Sequence, residues 1–543
     1  MSISPVLEHP SLGSRLRGVP LHDGRVVQFR GIKFAEFPKR YAKSTMLESY
    51  PAEMDCTSHG PMCPQSVFDD EGLFFRIPEN QRKRAAAGLT QDEFECLNLV
   101  ITAPSSILNS PDAEDVLPVY VNIHGGANKW ISSSVPLQDM TNFVKKSMDI
   151  GKPIIAVGIN YRLSTFGYGV LPSGLGVHNG LLDQRLALKW VQKHIRGFRG
   201  DPKMITIGGN SAGSFAVETH LNAVLESDAK GLFNRAIMQS GTLYVSNPKS
   251  ESWGINLSKQ VARNLGADVE KEGWEEVLKT APAQDIVAAI EKDGLDFLPL
   301  TDDDAFFTKG WGEVGTAAPE WCDALLIGDT EFDGSMFAPR VRLLPPEDLI
   351  AAFRSLGATG DSLLAAYQIP TTTTPSFPVP AVTKRIHHGT LQFLSDVLVS
   401  LPSHRIATTW RSKNKEVYEY NYDQPNPWGP QNRRAHHAVE MPSLFGNYTF
   451  PEEVREATSK VQAAIQEHFI SFIRGDAPFE AGEEEAMGYG PAGKVAVGRK
   501  KDRRNARAWE VLEGLSKAEL VRAYDIVGGR IGFHDFAHVR AKL

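Results

Sequence analysis

The feature that most constrains this fold is an alternation of short apolar, β-branched runs with a helix-forming segment between residues 117 and 240. The strand-like runs are LPVYVNI (117–123), PIIAVGI (153–159), MITIGG (204–209) and NRAIMQS (234–240). Between them, residues 181–198 repeat apolar side chains at helical spacing. Strands that alternate with helices are joined by crossover connections, which make neighbouring strands parallel. We therefore expect an α/β fold with a large, mostly parallel central sheet and helices on both faces.

The later part of the chain continues this pattern less regularly. Strands are predicted at ALLIG (324–328) and VYEYNY (417–422). A helix is predicted at 461–473, where apolar residues recur every three or four positions. Residues 245–320 are predicted to be largely helical but contain no sharp motif.

Four other segments are predicted to lie outside regular structure. Gly200-Asp201-Pro202 is typical of a turn, and the Pro- and Thr-rich stretch at 369–380 is typical of an exposed loop. The charge runs at 483–486 and 499–504 predict solvated surface connections.

Composition excludes several classes of protein. The chain of 543 residues is 42% hydrophobic and has a formal net charge of -7, so its charge gives no reason to expect a nucleic-acid partner. It contains no apolar run long enough for a membrane span or for the core of a signal peptide. Four cysteines are too few for a disulfide scaffold, and a cytoplasmic location is expected. No zinc, P-loop or dinucleotide-binding motif occurs, so we expect neither a metal nor a cofactor.

The pentapeptide Gly209-Asn210-Ser211-Ala212-Gly213 matches the pattern Gly-x-Ser-x-Gly and lies between a predicted strand and a predicted helix. A serine on such a sharp turn projects its hydroxyl from the edge of the sheet, which is the position that a nucleophile requires. The bare pattern is weak, and even in this context a structural turn is about as good an interpretation. Ser211 is therefore a candidate nucleophile.

A second motif, His124-Gly125-Gly126-Ala127, also follows a predicted strand directly. Backbone N–H groups on such a loop can stabilise the negative charge that develops on a carbonyl oxygen during acyl transfer. Taken alone, a pair of glycines more often marks a tight turn. Its occurrence upstream of the serine pentapeptide reverses that preference.

Together with these two motifs, a series of ordered matches resembles the type-B carboxylesterase family, which includes cholinesterases and several fungal lipases. The resemblance extends over roughly residues 20–480. It is carried by Gly31–Ala35, Glu95–Leu99, Asn160–Leu163, Asn179–Gln184, Gly200–Pro202, Phe233–Gly241 and Phe472–Pro478.

The resemblance implies an α/β-hydrolase fold, in which residues 1–543 form a single catalytic domain with long insertions. It also implies a triad. Asp333 occupies the acid position in Gly328–Gly334, with Glu331 as a competitor and Asp329 as a turn residue. His437 has the acidic residue, proline and phenylalanine of the family at the expected offsets, whereas His436 is out of register.

By this resemblance, Ser211, Asp333 and His437 would hydrolyse carboxylic esters of small molecules. The N–H groups of Gly126, Ala127 and Ala212 would hold the oxyanion. Two alternatives remain open from the sequence: an acyltransferase that uses the same triad, and a non-catalytic binding protein like the adhesion relatives of this family.

The chain departs from the family pattern at two places near these motifs. Asn210 replaces a glutamate that is common before the serine, and Ala127 replaces a third glycine. The resemblance also implies a disulfide between Cys63 and Cys96, although a reducing compartment would keep them as thiols.

Overall fold

The computed structural model describes residues 5–84, 87–110, 114–223, 231–244, 249–296, 318–371, 379–429, 434–502 and 509–530. Within these ranges the strands are β1 Val6–His9, β2 Ser14–Arg17, β3 Val19–Leu21, β4 Val26–Lys33, β5 Ala35–Glu36, β6 Thr45–Met46, β7 Glu53–Asp55, β8 Asn98–Pro104, β9 Leu117–Ile123, β10 Ile155–Ile159, β11 Gly200–Asn210, β12 Arg235–Gln239, β13 Ala324–Thr330, β14 Glu416–Tyr422, β15 Glu485–Tyr489 and β16 Val495–Arg499.

The α-helices in the same ranges are α1 Ser105–Leu108, α2 Thr141–Asp149, α3 Ser164–Tyr168, α4 Asn179–His194, α5 Ala212–Asn222, α6 Glu251–Asn264, α7 Glu276–Thr280, α8 Ala283–Glu291, α9 Ala338–Val341, α10 Pro346–Arg354, α11 Ala358–Ala366, α12 Val379–Ser395, α13 Leu401–Ser412, α14 Glu440–Phe445, α15 Glu452–Ile473, α16 Trp509–Glu513 and α17 Lys517–Arg530. The six strands and the C-terminal helix predicted above are all present.

Eleven strands form one sheet in the order β16-β15-β14-β13-β12-β11-β9-β10-β8-β4-β3. The pairs from β10 through β9, β11, β12, β13 and β14 to β15 are parallel. The remaining pairs at the two margins are antiparallel. The predicted parallel sheet is therefore confirmed for the centre, which carries the candidate functional motifs.

The two marginal strands are short and carry residues that discourage further pairing. β3 contains Pro20 at its middle position, and β16 ends at the exposed Arg499. Proline has no N–H to donate to a neighbouring strand, and a charged side chain on an edge opposes apolar association.

Alternate residues of the central strands pack against opposite layers of helices. Val119 and Val121 of β9 and Leu325 of β13 share a core with α4, α5 and α13. Tyr120 of β9 and Leu326 of β13 share a second core with α2, α14 and α15. This period-2 pattern is why both faces of the sheet are covered, as the apolar strands predicted.

A third core lies among helices outside these two layers. It joins residues 337–401, which include α9 to α12, with buried side chains of α16 and α17 at residues 509–527. The C-terminal helices thus pack on the helical segment that follows Asp333.

The strand that leads to Ser211 begins earlier than predicted. β11 starts at Gly200, so Gly200-Asp201-Pro202 lies inside the strand and the predicted turn was wrong. Gly200 pairs with Leu117 of β9, and the register shifts before the ladder resumes at Ile205. Such an irregularity lets a proline leave the ladder without ending the strand.

The prediction that the two charge runs form solvated connections was also wrong in part. Glu485 and Arg499 belong to the paired strands β15 and β16. Lys500 is 6% exposed, and its ammonium contacts the carboxylate of Glu419. Sheet pairing and a buried counter-charge decide this burial, and local composition reports neither. Residues 503–504 of the second run lie outside the described residues.

The prediction of helices in the middle of the chain is confirmed where it can be compared, whereas the predicted exposed loop at 369–380 is wrong at both ends, since Ile369 is buried. Helices α6, α7 and α8 account for much of 249–296, whereas 245–248 and 297–317 lie outside the described residues. In the Pro- and Thr-rich stretch, α12 begins at Val379, so the last two residues of the predicted loop are helical instead, and 372–378 are not described. Among the described residues, no helix combines the length and apolarity needed to cross a bilayer.

Candidate active site

Ser211 occupies a sharp turn between β11 and α5. Its backbone angles, φ 58° and ψ -122°, lie in a region that non-glycine residues rarely adopt. Its N–H donates to the carbonyl oxygen of Gln239 at 2.9 Å, which ties the turn to the end of β12. Unfavourable backbone conformations persist where the surroundings fix them, and they occur often at functional sites.

Two glycines make this turn possible. A Cβ on Gly209 would lie 2.5 Å from the carbonyl oxygen of Ile123, and a Cβ on Gly213 would overlap the same oxygen. Strand β9 therefore approaches the turn more closely than any larger residue allows. This contact is the physical reason for the glycine at each end of Gly-x-Ser-x-Gly.

The residues 124–131 after β9, which we call the glycine loop, run past Ser211. A Cβ on Gly125 would lie 3.3 Å from the Cβ of Ser211. The predicted oxyanion donors are the N–H groups of Gly126, Ala127 and Ala212, and no protein acceptor within the described ranges takes a hydrogen bond from any of them. The glycine loop and the start of α5 thus keep backbone donors unused on either side of the serine.

Asp333 and His437 are in direct contact, as the resemblance implied. The Nδ1 atom of His437 lies 2.8 Å from Oδ1 of Asp333, and the N–H of Thr330 donates to Oδ2 at 2.9 Å. Asp333 is fully buried. Burial alone would raise the pKa of its carboxyl, but the hydrogen bond and charge of His437 and the bond from Thr330 outweigh burial and lower it. Asp333 is therefore an ionised acceptor that fixes the proton of His437 on Nδ1.

With Nδ1 engaged, Nε2 is the atom of His437 that is left for chemistry. It is buried and has no hydrogen-bond partner in the part of the chain that the structure describes. The main-chain N–H of His437 donates to Oγ of Ser335 at 3.0 Å, which fixes the backbone of the histidine relative to the Asp333 turn. The role of Ser335 was not predicted from the sequence.

Ser211 and His437 belong to segments that meet directly beneath the turn. Nδ2 of Asn210 donates to Oε1 of Glu440 at 2.8 Å, a contact between residues 230 apart in sequence. The amide of Gln239, whose carbonyl holds Ser211, lies 3.8 Å from the sulfur of Met441. In each contact, a residue of the serine turn or of the strand that holds it meets a residue at the start of α14, which follows His437 closely in sequence. The two contacts therefore hold the serine turn beside the segment that carries His437.

Glu440 is fully buried, and its Oε2 has no partner among the described residues. Burial and the nearby charge of Asp333 raise the pKa of this carboxyl to about 8. Glu440 is therefore largely neutral near pH 7, so Asp333 keeps the negative charge beside the imidazole. The offset of Glu440 from His437 was noted in the sequence, but its contact with Asn210 was not.

The competing residues have other partners. Glu331 accepts from the guanidinium of Arg434 at 2.8 Å and from the N–H of Ala435 at 3.1 Å, so it supports the segment before His437. Asp329 was predicted to be a turn residue, which was wrong: it lies in β13 and accepts from the amide of Asn421 at 2.9 Å.

His436 faces away from the site, as predicted. Its Nε2 accepts from the amide of Asn426 at 2.9 Å, and its ring contacts those of Phe74 and Phe75. Burial lowers the pKa of this imidazole to about 4, so it stays neutral. His436 is a structural neighbour of His437.

The four cysteines Cys56, Cys63, Cys96 and Cys322 are all buried free thiols in the structure. Cys63 accepts from the N–H of Leu163 at 3.2 Å, and the thiol of Cys96 donates to the carbonyl of Glu93 at 3.2 Å. The bond that the resemblance implied is therefore not formed here. Within the described residues, no group of three or more His, Cys, Asp or Glu is arranged to hold a metal ion.

Comparison with known proteins places this geometry in a family. The profile of the carboxylesterase family matches residues 5–495. Lipase 3 of Yarrowia lipolytica is 30% identical over 484 residues, which cover 87% of this chain and 90% of that protein. The para-nitrobenzyl esterase of Bacillus subtilis is 28% identical over 473 residues, which cover 83% and 87%.

A solved structure of a PNB esterase has the same fold, with a TM-score of 0.70 at 24% identity over 93% of this chain and 99% of that one. The match to the family profile spans the serine turn, the glycine loop, Asp333 and His437. The chain therefore belongs to the carboxylesterase family.

Proposed function

We propose that this chain is a serine carboxylesterase that hydrolyses carboxylic esters with Ser211, Asp333 and His437. The observation that carries the proposal is the 2.8 Å contact between Asp333 and Nδ1 of His437, which leaves Nε2 buried and without a partner. The strained serine turn joined to the histidine segment supports it. The relatives named lipase and para-nitrobenzyl esterase support a carboxylic ester as the substrate.

In the first half of the reaction, Oγ of Ser211 bonds to the ester carbonyl carbon while its proton moves to Nε2 of His437. The negative charge on the carbonyl oxygen is stabilised by the N–H groups of Gly126, Ala127 and Ala212. When the intermediate collapses, the bond to the alcohol oxygen breaks and the alcohol takes the proton from His437.

The second half repeats these steps with water. Water bonds to the acyl carbon as its proton passes to Nε2 of His437, and the bond to Oγ of Ser211 then breaks as Oγ regains that proton. Asp333 stabilises the imidazolium in both halves.

The test is hydrolysis of p-nitrophenyl esters of increasing acyl length, with fluorophosphonate labelling of the same samples. Ser211→Ala and His437→Ala should each lower kcat by about 10⁴-fold or more, and the double variant should be no worse, because the residues act as a unit. Ser211→Ala should also lose the label, whereas Ser252→Ala, which changes an exposed serine, should keep label and rate. Equal hydrolysis by wild type and Ser211→Ala would overturn the proposal.

Product analysis separates hydrolysis from acyl transfer. With an added primary alcohol at moderate concentration, an esterase should still release mainly the free acid. Release of mainly the new ester would reassign the chain as an acyltransferase that uses the same residues.

A further inference from the structure

In the glycine loop, several residues other than glycine also have an unfavourable backbone conformation. Ala127 and Asn128 are consecutive residues with φ of 56° and 55°, and Ile131 has φ of 63°. In this left-handed region the Cβ atom is crowded by the backbone, so the conformation needs external support. Since two of the proposed oxyanion donors belong to this loop, the supporting contacts bear on catalysis.

Contacts within the loop define its turn. The N–H groups of Lys129 and Trp130 both donate to the carbonyl oxygen of Gly126 at 2.9 Å. On the inner side, the carbonyl oxygen of Asn128 accepts from the N–H of Ser164 at 2.7 Å. These bonds shape the turn and attach it to the start of α3.

Side chains attach the other side of the loop to two distant segments. The ammonium of Lys129, which is 5% exposed, lies 3.0 Å from Oε1 of Glu291 at the end of α8. Oγ of Ser66 donates to the same oxygen at 3.0 Å and accepts from the indole N–H of Trp130 at 2.9 Å. The ring of Phe68 stacks on Trp130 at 5.0 Å. We call Ser66, Lys129, Trp130 and Glu291 the loop clamp.

The loop clamp is a closed set of contacts around one carboxylate. Nζ of Lys129 also lies 4.8 Å from the ring centroid of Trp130, so the cation contacts both the carboxylate and the aromatic face. A nearly buried ammonium needs such partners, because desolvation of an unpaired charge is costly. Removing the charge of Glu291 therefore loosens Lys129 and, through the main chain, its neighbours Gly126 to Asn128.

We propose that the loop clamp positions the oxyanion donors, with Glu291 acting through Lys129 as a positioning residue. The inference rests on the proposed function, because it concerns donors that only acyl transfer uses. It assigns a catalytic effect to a residue on a helix that contributes nothing to the triad. The side chain of Glu291 is 37% exposed, so its pairing is also open to screening by salt.

The test is a double-mutant cycle on p-nitrophenyl acetate hydrolysis, with kcat expressed per site titrated by fluorophosphonate so that unfolded protein is not counted. Glu291→Gln and Lys129→Met should each lower kcat by about tenfold with little change in KM, since misplaced donors weaken binding of the transition state alone. The double variant should fall no further than the worse single variant. Lys292→Gln, next to Glu291 on an exposed position, is the matched control and should leave kcat unchanged.

Salt provides a second readout that a purely structural contact would not give. Raising KCl from about 0.1 M to about 1 M shortens the screening length from roughly 10 Å to roughly 3 Å. The kcat of wild type should therefore fall more steeply with salt than the kcat of Glu291→Gln.

Strictly additive losses in the cycle, a change in KM alone, or equal salt dependence of wild type and Glu291→Gln would overturn the inference. Its failure is distinguishable from failure of the proposed function. If Ser211→Ala abolishes hydrolysis while Glu291→Gln behaves as wild type, the esterase assignment stands and the positioning role falls.

Discussion

Asp333 and Glu331 lie two residues apart, yet only Asp333 touches the imidazole of His437. Asp333 is fully buried and bonded to Nδ1, whereas Glu331 is about one-third exposed and paired with Arg434. Because their environments differ, the two carboxylates have different roles. Asp333 holds the charge beside the imidazole, and Glu331 anchors the segment that carries it.

Exchanging the two carboxylates for amides separates these roles. Asp333→Asn should lower kcat by about 10³-fold or more, because the amide cannot hold the Nδ1 proton of His437 or stabilise the imidazolium. Glu331→Gln removes a partly exposed ion pair worth about 1 kcal/mol or less, so kcat should fall by less than about tenfold. Ester hydrolysis at pH 7.5 measures both. The reverse ranking would move the acid role to Glu331.

Glu440 should make stability depend on pH in a definite direction. Its pKa is raised in the folded protein to about 8, so on raising the pH the unfolded chain loses this proton first. The free energy of unfolding therefore decreases as pH rises from about 4.5 to about 8, on the order of 1 kcal/mol per pH unit from this group alone. In Glu440→Gln the side chain no longer titrates, so its free energy of unfolding lacks this pH dependence. Urea unfolding at pH 5, 6.5 and 8 should therefore show the stability of the variant rising relative to that of wild type as the pH is raised. A constant difference across these pH values would contradict the burial of a neutral carboxyl.

At the scale of elements, the Asp333 turn is set by its contact with helix α12. A Cβ on Gly334 would overlap the carbonyl oxygen of Leu391 in that helix. The helix and the turn are therefore in backbone contact directly beside the acid. No residue larger than glycine fits there without moving one of them.

Gly334→Ala should therefore reduce both stability and activity. Overpacking of this kind typically lowers the free energy of unfolding by about 1–3 kcal/mol. Because Asp333 is also displaced, kcat should fall, while KM should change by a smaller factor. Gly498→Ala is the control, because a Cβ there has no neighbour within 4 Å and the substitution should be silent. Thermal unfolding and kcat on one ester are the measurements. Wild-type behaviour of Gly334→Ala would show that α12 can shift freely.

Elements that show a clear apolar periodicity within their own sequence could be predicted, and so could the motif residues that follow directly after them. Strand β9 and the end of strand β11 were predicted in this way, and so was the pairing of Asp333 with His437, which are in contact. The contact of Asn210 with Glu440 was missed, because it depends on two segments far apart in sequence meeting under the turn. The start of β11 was missed because the irregular stretch between Gly200 and Ile205 keeps Asp201 and Pro202 within the strand despite their preference for turns.

At the scale of the whole molecule, the C-terminal helices α16 and α17 complete the third core. Leu512 is fully buried in that core, while Glu510 beside it is exposed. The helices lie beyond residue 495, where the family profile ends. The core that follows Asp333 therefore depends on a segment outside the matched region.

Leu512→Ala should lower the free energy of unfolding by about 2–5 kcal/mol, because it leaves a cavity in this core. Glu510→Ala in the same helix should change it by no more than about 0.5 kcal/mol. Chemical denaturation followed by tryptophan fluorescence compares the two. Equal stability of both variants would mean that α16 contributes little to the third core.

The margins of the sheet have a consequence for how copies of this chain meet at high concentration. In strand β3, Pro20 lacks a main-chain N–H, and strand β16 ends in the exposed, charged Arg499, so each marginal strand carries a residue that opposes pairing with another strand. These residues therefore disfavour association in which the sheets of two molecules pair edge to edge and extend into a continuous intermolecular sheet. Strands β11 and β13, which lead to Ser211 and Asp333, are separated from both margins of the sheet by at least three strands.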